Sequence, residues 1–343
     1  IINISASPYY CGKIGEREKL LYARAVENRV NLLYLNQVGG QDELVFDGSS
    51  MALGPDGEIL GRARPFSPDT LLLDIDTKAV EFARLKDPKF KNQRKSLTAQ
   101  SGSLQVVETG YQIKDKYIGL EPGRDNYMEY ISCPQEEILE ALVLGTRDYV
   151  LKNGFKTVVL GLSGGIDSAF ATFIAWRALG PDNVKVLLMP SMFSSESSVK
   201  DAEALSKNLG IDYHIVPISS IYDTYLKQLE PLLKTRDINI TKENLQARIR
   251  GNLLMAMSNE YGWLVLAASN KSEASVGYST LYGDMVGGFS PIKDVYKTAV
   301  YDICRFINQK YDNLIPQNII DKAPSAELKP HQKDRDSLPE YSV

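Results

Sequence analysis

Residues 158–168 read Val-Val-Leu-Gly-Leu-Ser-Gly-Gly-Ile-Asp-Ser, an apolar, β-branched run that empties into a glycine-rich turn carrying a carboxylate and hydroxyls. Val158, Val159 and Leu160 predict a buried parallel strand, and AFATFIAWRA at 169–178 predicts the helix that follows. The turn then lies at a helix N-terminus, where the first backbone N–H groups lack intrahelical partners and the dipole favours an anion. Gly161, Gly164 and Gly165 let the main chain approach phosphate oxygens with no Cβ in the way. Asp167 is placed to hold Mg²⁺ against those oxygens, and Ser163 and Ser168 add hydroxyl donors.

The spacing is not that of a Walker loop, which needs Gly-Lys-Ser/Thr after four spacer residues, nor is it the G-x-G-x-x-G of a dinucleotide fold. Outward from the turn, VVLGLS, VKVLLMP, YHIVPIS and WLVLAAS read as strands separated by segments of crossover-helix length, and Pro134 precedes a helix expected over 135–152. This pattern predicts a doubly wound parallel sheet, with ligands at the carboxyl ends of its strands. Met189-Pro190-Ser191 and Ala268-Ser269-Asn270 fall at such ends. Residues 1–76 predict strand, helix, strand and hairpin from IINIS, a helix near 15–30, LLYLNQV, LVFDGSSMAL, EILGRARPF and TLLLDID. The charged stretch ARLKDPKFKNQRKS marks a boundary, and the tail after Ala323 reads as surface loop.

At 343 residues and 43% hydrophobic, the chain is long enough for two domains. A formal charge of −4 argues against a broad nucleic-acid footprint. No apolar run reaches the roughly 20 residues of a membrane helix, and IINISASPYYCGK lacks the form of a signal peptide, so a cytoplasmic protein is expected. Cys11, Cys133 and Cys304 form no C-x-x-C pair, and two histidines, His214 and His331, leave little room for a histidine triad or metal site.

Ser-Gly-Gly-x-Asp-Ser after a strand resembles the pyrophosphate-binding loop of the N-type ATP pyrophosphatases, which cleave ATP between its α and β phosphates to adenylate a substrate. Together with ASNKSE, VGYSTLYGDMVGGFSPIKDVYKT, NLQARIRGNLLMAMSN and KAPSAEL, it resembles the NAD synthetase family, specifically the synthetase half of its glutamine-dependent members. Upstream, NISASPYYCGK and LLYLNQVGGQDELVFDGSSMALGPDGEIL resemble the last third of a nitrilase-type glutaminase domain.

The resemblance implies an α/β protein. A doubly wound, adenine nucleotide alpha hydrolase-like synthetase domain at 133–343 would follow a partial nitrilase-like α/β sandwich at 1–80, with 81–132 as linker. It implies that ATP adenylates the carboxylate of deamido-NAD and that ammonia, drawn from glutamine, displaces AMP. Carried over by position, Gly161, Leu162, Ser163, Gly164, Gly165, Ile166, Asp167, Ser168, Ala268, Lys297 and Ser325 would meet ATP. Asn244, Arg248, Glu273, Tyr278, Ser279, Thr280, Leu281 and Asp284 would meet deamido-NAD, and Asp167 and Glu273 would hold Mg²⁺. Asp167 and Lys297 would carry the catalytic charge work.

Two departures stand out. Ala268 replaces a family Thr or Ser, and Ser325 takes the place of a Thr. The glutaminase Glu, Lys and Cys would all precede Ile1, which makes the chain read as incomplete at both ends; Cys11 is expected to be an ordinary loop thiol. Ser7 and Lys13 match glutamine-contacting positions, and a homo-oligomer without nucleic-acid or membrane partners is expected. The alternatives are another N-type ATP pyrophosphatase, such as the GMP, asparagine or argininosuccinate synthetases, or a catalytically inert nucleotide-binding or assembly fragment.

Overall fold

A computed structural model describes residues 1–90, 131, 133–235, 237–325 and 327–329. Most of the expected linker 81–132 and the end of the tail lie outside the described residues. The chain divides into two compact units, residues 1–39 with 44–132, and residues 40–43 with 133–343.

In the first unit, β1 (Ile2–Ser5), β2 (Leu32–Asn36), β5 (Met51–Leu53) and β6 (Ile59–Arg62) form a sheet in the order β1-β2-β5-β6. β1 and β2 are parallel and the other pairs antiparallel. Helix α1 (Lys13–Asn28) covers one face, packing Leu21 and Ala25 on Leu32, Tyr34, Met51 and Leu53. LVFDGSSMAL is two strands, because Gly48 at φ 66° and Ser49 at φ 52° turn the chain between β4 (Leu44–Asp47) and β5. β4 pairs instead with β3 (Val38–Gln41). TLLLDID is a correction to the sequence reading: it forms no strand, and α2 (Thr77–Lys86) follows it, capped by the Asp76 side chain on the Lys78 N–H.

The second unit holds a four-stranded parallel sheet, β10 (Leu264–Val265), β7 (Val158–Gly161), β8 (Val184–Leu188) and β9 (Asp212–Ile215), in that order. Period-two alternation sends Val158, Leu160, Val186 and Leu264 to one face, and Val159, Leu187 and Val265 to the other. Both faces are buried, which is why these strands read as unbroken apolar runs. The first face packs α3 (Pro134–Lys152), α4 (Ile166–Leu179), α5 (Glu196–Leu209) and α9 (Lys297–Lys310). The second packs α6 (Ser219–Leu229) and α7 (Ile240–Tyr261). Helix α4 is apolar nearly all round, as a helix hemmed in on every side must be.

The chain runs from β7 to β8 on one side and returns through β10 on the other. The strand order therefore reverses at β7, and a doubly wound sheet opens its crevice at such a switch point. The expected helix start at 169 is corrected to Ile166, with Gly165 as N-cap, which brings Asp167 and Ser168 into the first turn.

Candidate active site

The crevice is a cavity of about 310 Å³ at the carboxyl ends of β7, β8 and β10. Its floor is the turn after β7. Gly164 has φ 82°, and a Cβ there would stand 2.2 Å from the Ser198 carbonyl oxygen, so this position admits only glycine without movement. The Ser163 N–H donates to Ser168 Oγ at 3.2 Å, Ser168 Oγ donates to the Gly165 carbonyl at 3.0 Å, and the Gly165 N–H donates to Ser163 Oγ at 3.2 Å. The two serine hydroxyls thus shape the turn itself.

Asp167 projects from the first turn of α4 and forms an ion pair with Lys297, the first residue of α9. Its other oxygen accepts from Asn270 Nδ2 at 3.1 Å. Fully buried Asn270 also caps α8 (Lys271–Val276): the Glu273 N–H donates to its Oδ1 at 3.0 Å, and the Asn270 N–H donates to Glu273 Oε2 at 3.4 Å. Burial disfavours the Lys297 ammonium, but the Asp167 and Glu273 charges and the Asp167 hydrogen bond outweigh it and hold its pKa above the ordinary lysine value. Asp167, Glu273 and Lys297 thus form one charged cluster on the wall, with Asn270 behind it bonded to both carboxylate-bearing residues.

A strap, residues 322–325 with 327 and 328, lines another edge of the cavity. Its Glu327 carboxylate accepts from the Ser195 N–H at 3.2 Å, Ser195 Oγ at 3.0 Å, Ser198 Oγ at 2.8 Å and Lys322 Nζ at 2.7 Å. Burial opposes the Glu327 charge, yet these donors, Lys322 first, keep its pKa below the ordinary value. Gln246 Nε2 on α7 donates to the Leu328 carbonyl at 2.9 Å.

Of the residues singled out in the sequence, Gly161, Leu162, Ser163, Gly165, Ile166, Asp167, Ser168, Ala268, Glu273, Tyr278, Thr280, Asp284, Lys297 and Ser325 line the cavity. Gly164, Asn244, Arg248, Ser279 and Leu281 do not. Asn244 accepts from Thr280 Oγ1 at 2.9 Å, and Arg248 Nε donates to the Leu281 carbonyl at 3.1 Å, so both side chains tie α7 to the loop that follows α8. Gly251, where a Cβ would meet the Tyr282 carbonyl oxygen at 2.9 Å, lets that loop close on α7. In the first unit, the Ser7 N–H donates to Asn36 Oδ1 at 2.9 Å, and Lys13 Nζ donates to the Pro8 carbonyl. Asn36 sits beside the bidentate Arg17–Asp47 pair, buried at 2.7 and 2.8 Å. Sequence reasoning missed Arg250, Lys322 and Glu327, all on the cavity wall. The signal available for Arg250 was its spacing from Ala247 and Leu254, which share that wall at i, i+3, i+7.

Residues 138–343 match the family model for NAD synthase, and residues 14–85 match that for carbon-nitrogen hydrolase. The chain belongs to the NAD synthase family. It is 47% identical to the glutamine-dependent NAD(+) synthetase of Thermotoga maritima, an alignment that takes in 100% of this chain and 58% of that protein. It spans little more than half the length of such relatives. The structure of the Acinetobacter baumannii glutamine-dependent NAD+ synthetase in complex with ADP matches with a TM-score of 0.75 at 36% identity, over 95% of this chain and 55% of that one. An NMN synthetase from Francisella tularensis matches with a TM-score of 0.55 at 30% identity, over 61% of this chain and 83% of that one. For this NAD synthase family member, no described helix is long and apolar enough to cross a membrane.

Proposed function

We propose that residues 133–343 form an ATP-dependent ligase domain that adenylates deamido-NAD and amidates it with ammonia. The observation that carries this is the Ser163–Ser168 turn at the switch point of a parallel sheet, faced by the Asp167–Lys297 pair in a family of NAD synthases. An oxygen of the nicotinate carboxylate attacks the α-phosphorus of ATP and pyrophosphate leaves. Ammonia then attacks the adenylated carbonyl carbon, and AMP leaves with the bonding pair. Negative charge gathers on phosphate oxygens in the first step, and the turn's amides with Lys297 answer it without a protein nucleophile.

Asp167 and Glu273 give hard oxygen donors suited to Mg²⁺. Among the described residues no cluster of three or more His, Cys, Asp or Glu side chains could hold a metal, so phosphate oxygens and water would complete the shell. When bound, Mg²⁺ supplies charge neutralisation along the phosphate chain. Ser163, Gly165, Ala268 and Ser325 are proposed to contact ATP, and Tyr278, Thr280 and Asp284 to contact deamido-NAD, a reading supported by their sharing one cavity. Ser7 and Lys13 are proposed to contact glutamine, the former held by Asn36. The exposed Leu281, Tyr282 and Met285 support assembly into a homo-oligomer.

The test is to supply ATP, Mg²⁺, ammonium and either deamido-NAD or nicotinate mononucleotide, and to measure all products. AMP, pyrophosphate and NAD are expected. ADP and phosphate overturn cleavage at the α-phosphate, and preference for the mononucleotide replaces the acceptor.

A further inference from the structure

Three cationic side chains line the cavity, and two are matched: Lys297 pairs with Asp167 and Lys322 with Glu327. Arg250, on α7, has no carboxylate within ion-pair distance among the described residues. Among the described residues its side chain makes one hydrogen bond, from Nε to the Met189 carbonyl at 3.0 Å, at the carboxyl end of β8. Burial pushes its pKa down to about 10, against the partial support of the Glu327 charge. A part-buried guanidinium with no carboxylate to neutralise it favours the arrival of an anion.

The place of Arg250 says which anion. Glu327, whose charge reaches Arg250, is bonded to Ser198, and the Ser198 backbone lies against Gly164 of the turn. The direct geometric link runs through Met189: its carbonyl accepts from Arg250 Nε, and its Cε would lie 3.1 Å from a Cβ at Gly161, at the start of the turn. The planar fork of a guanidinium matches two phosphate oxygens at once, which an ammonium cannot do.

We propose that Arg250 binds the phosphate chain of the bound nucleotide through its terminal nitrogens, while its Nε stays on the Met189 carbonyl. The assignment rests on the ATP reading of the cavity. It makes the strap's Glu327 the stand-in charge that Arg250 feels until a phosphate enters.

Calorimetric titration of the whole chain with ATP, inorganic pyrophosphate and adenosine tests it in wild type, R250Q and R250K. R250Q should weaken ATP and pyrophosphate by roughly 10- to 100-fold, the scale of a lost charge-assisted hydrogen bond, and change adenosine by less than about twofold. R250K should fall between, since it keeps the charge and loses the fork. Equal losses for adenosine and ATP would mean that Arg250 only props the Met189 carbonyl, and unchanged pyrophosphate binding in both variants would also overturn the proposal. Should R250Q fail to melt cooperatively, R250K alone decides. Wild-type binding of pyrophosphate through Arg250 without binding of ATP would sink the ATP reading and leave this one standing; binding of neither sinks both.

Discussion

The Asp167 carboxylate and the Lys297 ammonium, 130 residues apart in the chain, meet as an ion pair on the cavity wall, with the Lys297 side chain only 3% exposed. The pair joins the first turn of α4 to the first residue of α9, so the helix that follows the Ser163–Ser168 turn and a helix packed on the same face of the sheet are registered by opposite charges.

D167N should therefore injure two properties together. Leaving a buried ammonium short of its partner costs about 3 kcal/mol of stability, and loss of one charge at the phosphate site should lower turnover by roughly 10²-fold. D167N/K297M should regain stability and not turnover. Thermal melts beside product formation measure both, and a D167N protein with wild-type stability and rate would refute the coupling.

Gly164 and Gly154 have nearly the same backbone, at φ 82° and 81°, but a Cβ at 164 meets the Ser198 carbonyl while one at 154 meets nothing. G154A should cost only the conformational strain, about 1 kcal/mol. G164A should cost clearly more and weaken ATP, because the turn has to shift off Ser198. Equal melting temperatures for the two variants would show that the turn yields freely.

Glu327 holds the strap, and its folded pKa lies below the ordinary 4.5. A depressed carboxylate contributes stability above its unfolded pKa and loses it as pH falls through the folded value. The melting-temperature gap between wild type and E327Q should accordingly be full at neutral pH and shrink below about 4.5. At pH 8, trypsin should cut E327Q after Lys322 about tenfold faster, because Lys322 loses its carboxylate partner. A gap independent of pH, or unchanged cleavage, would place the strap's anchor elsewhere, for instance on the Gln246 bond to Leu328.

The strand, turn and helix around residues 158–179 were legible because each is a local pattern: an apolar run, glycines that permit a close approach, and an acidic side chain in a first helical turn. Helix α4 began three residues early relative to its apolar run because Gly165 serves as cap and the sequence offers no side-chain N-cap there. TLLLDID has the apolar spacing of an extended chain, yet it forms no strand although β1 and β6 stand at the edges of the sheet, because spacing alone does not supply the pairing. Asn244 and Arg248 match the motif by spacing, yet their side chains are turned to the loop after α8, an orientation no linear pattern records.

By itself the sequence determined the family, the alternation that buries both faces of the parallel sheet, and the Ser163–Ser168 turn, all properties of neighbouring residues. Only the tertiary structure decided which charges meet. Asp167 with Lys297, Glu327 with Ser195, Ser198 and Lys322, and Arg250 left without a carboxylate partner among the described residues depend on how α4, α5, α7, α9 and the strap close around one cavity. Electrostatic partnership falls off with distance in space and is blind to distance along the chain, so these pairings had no signature in the order of residues.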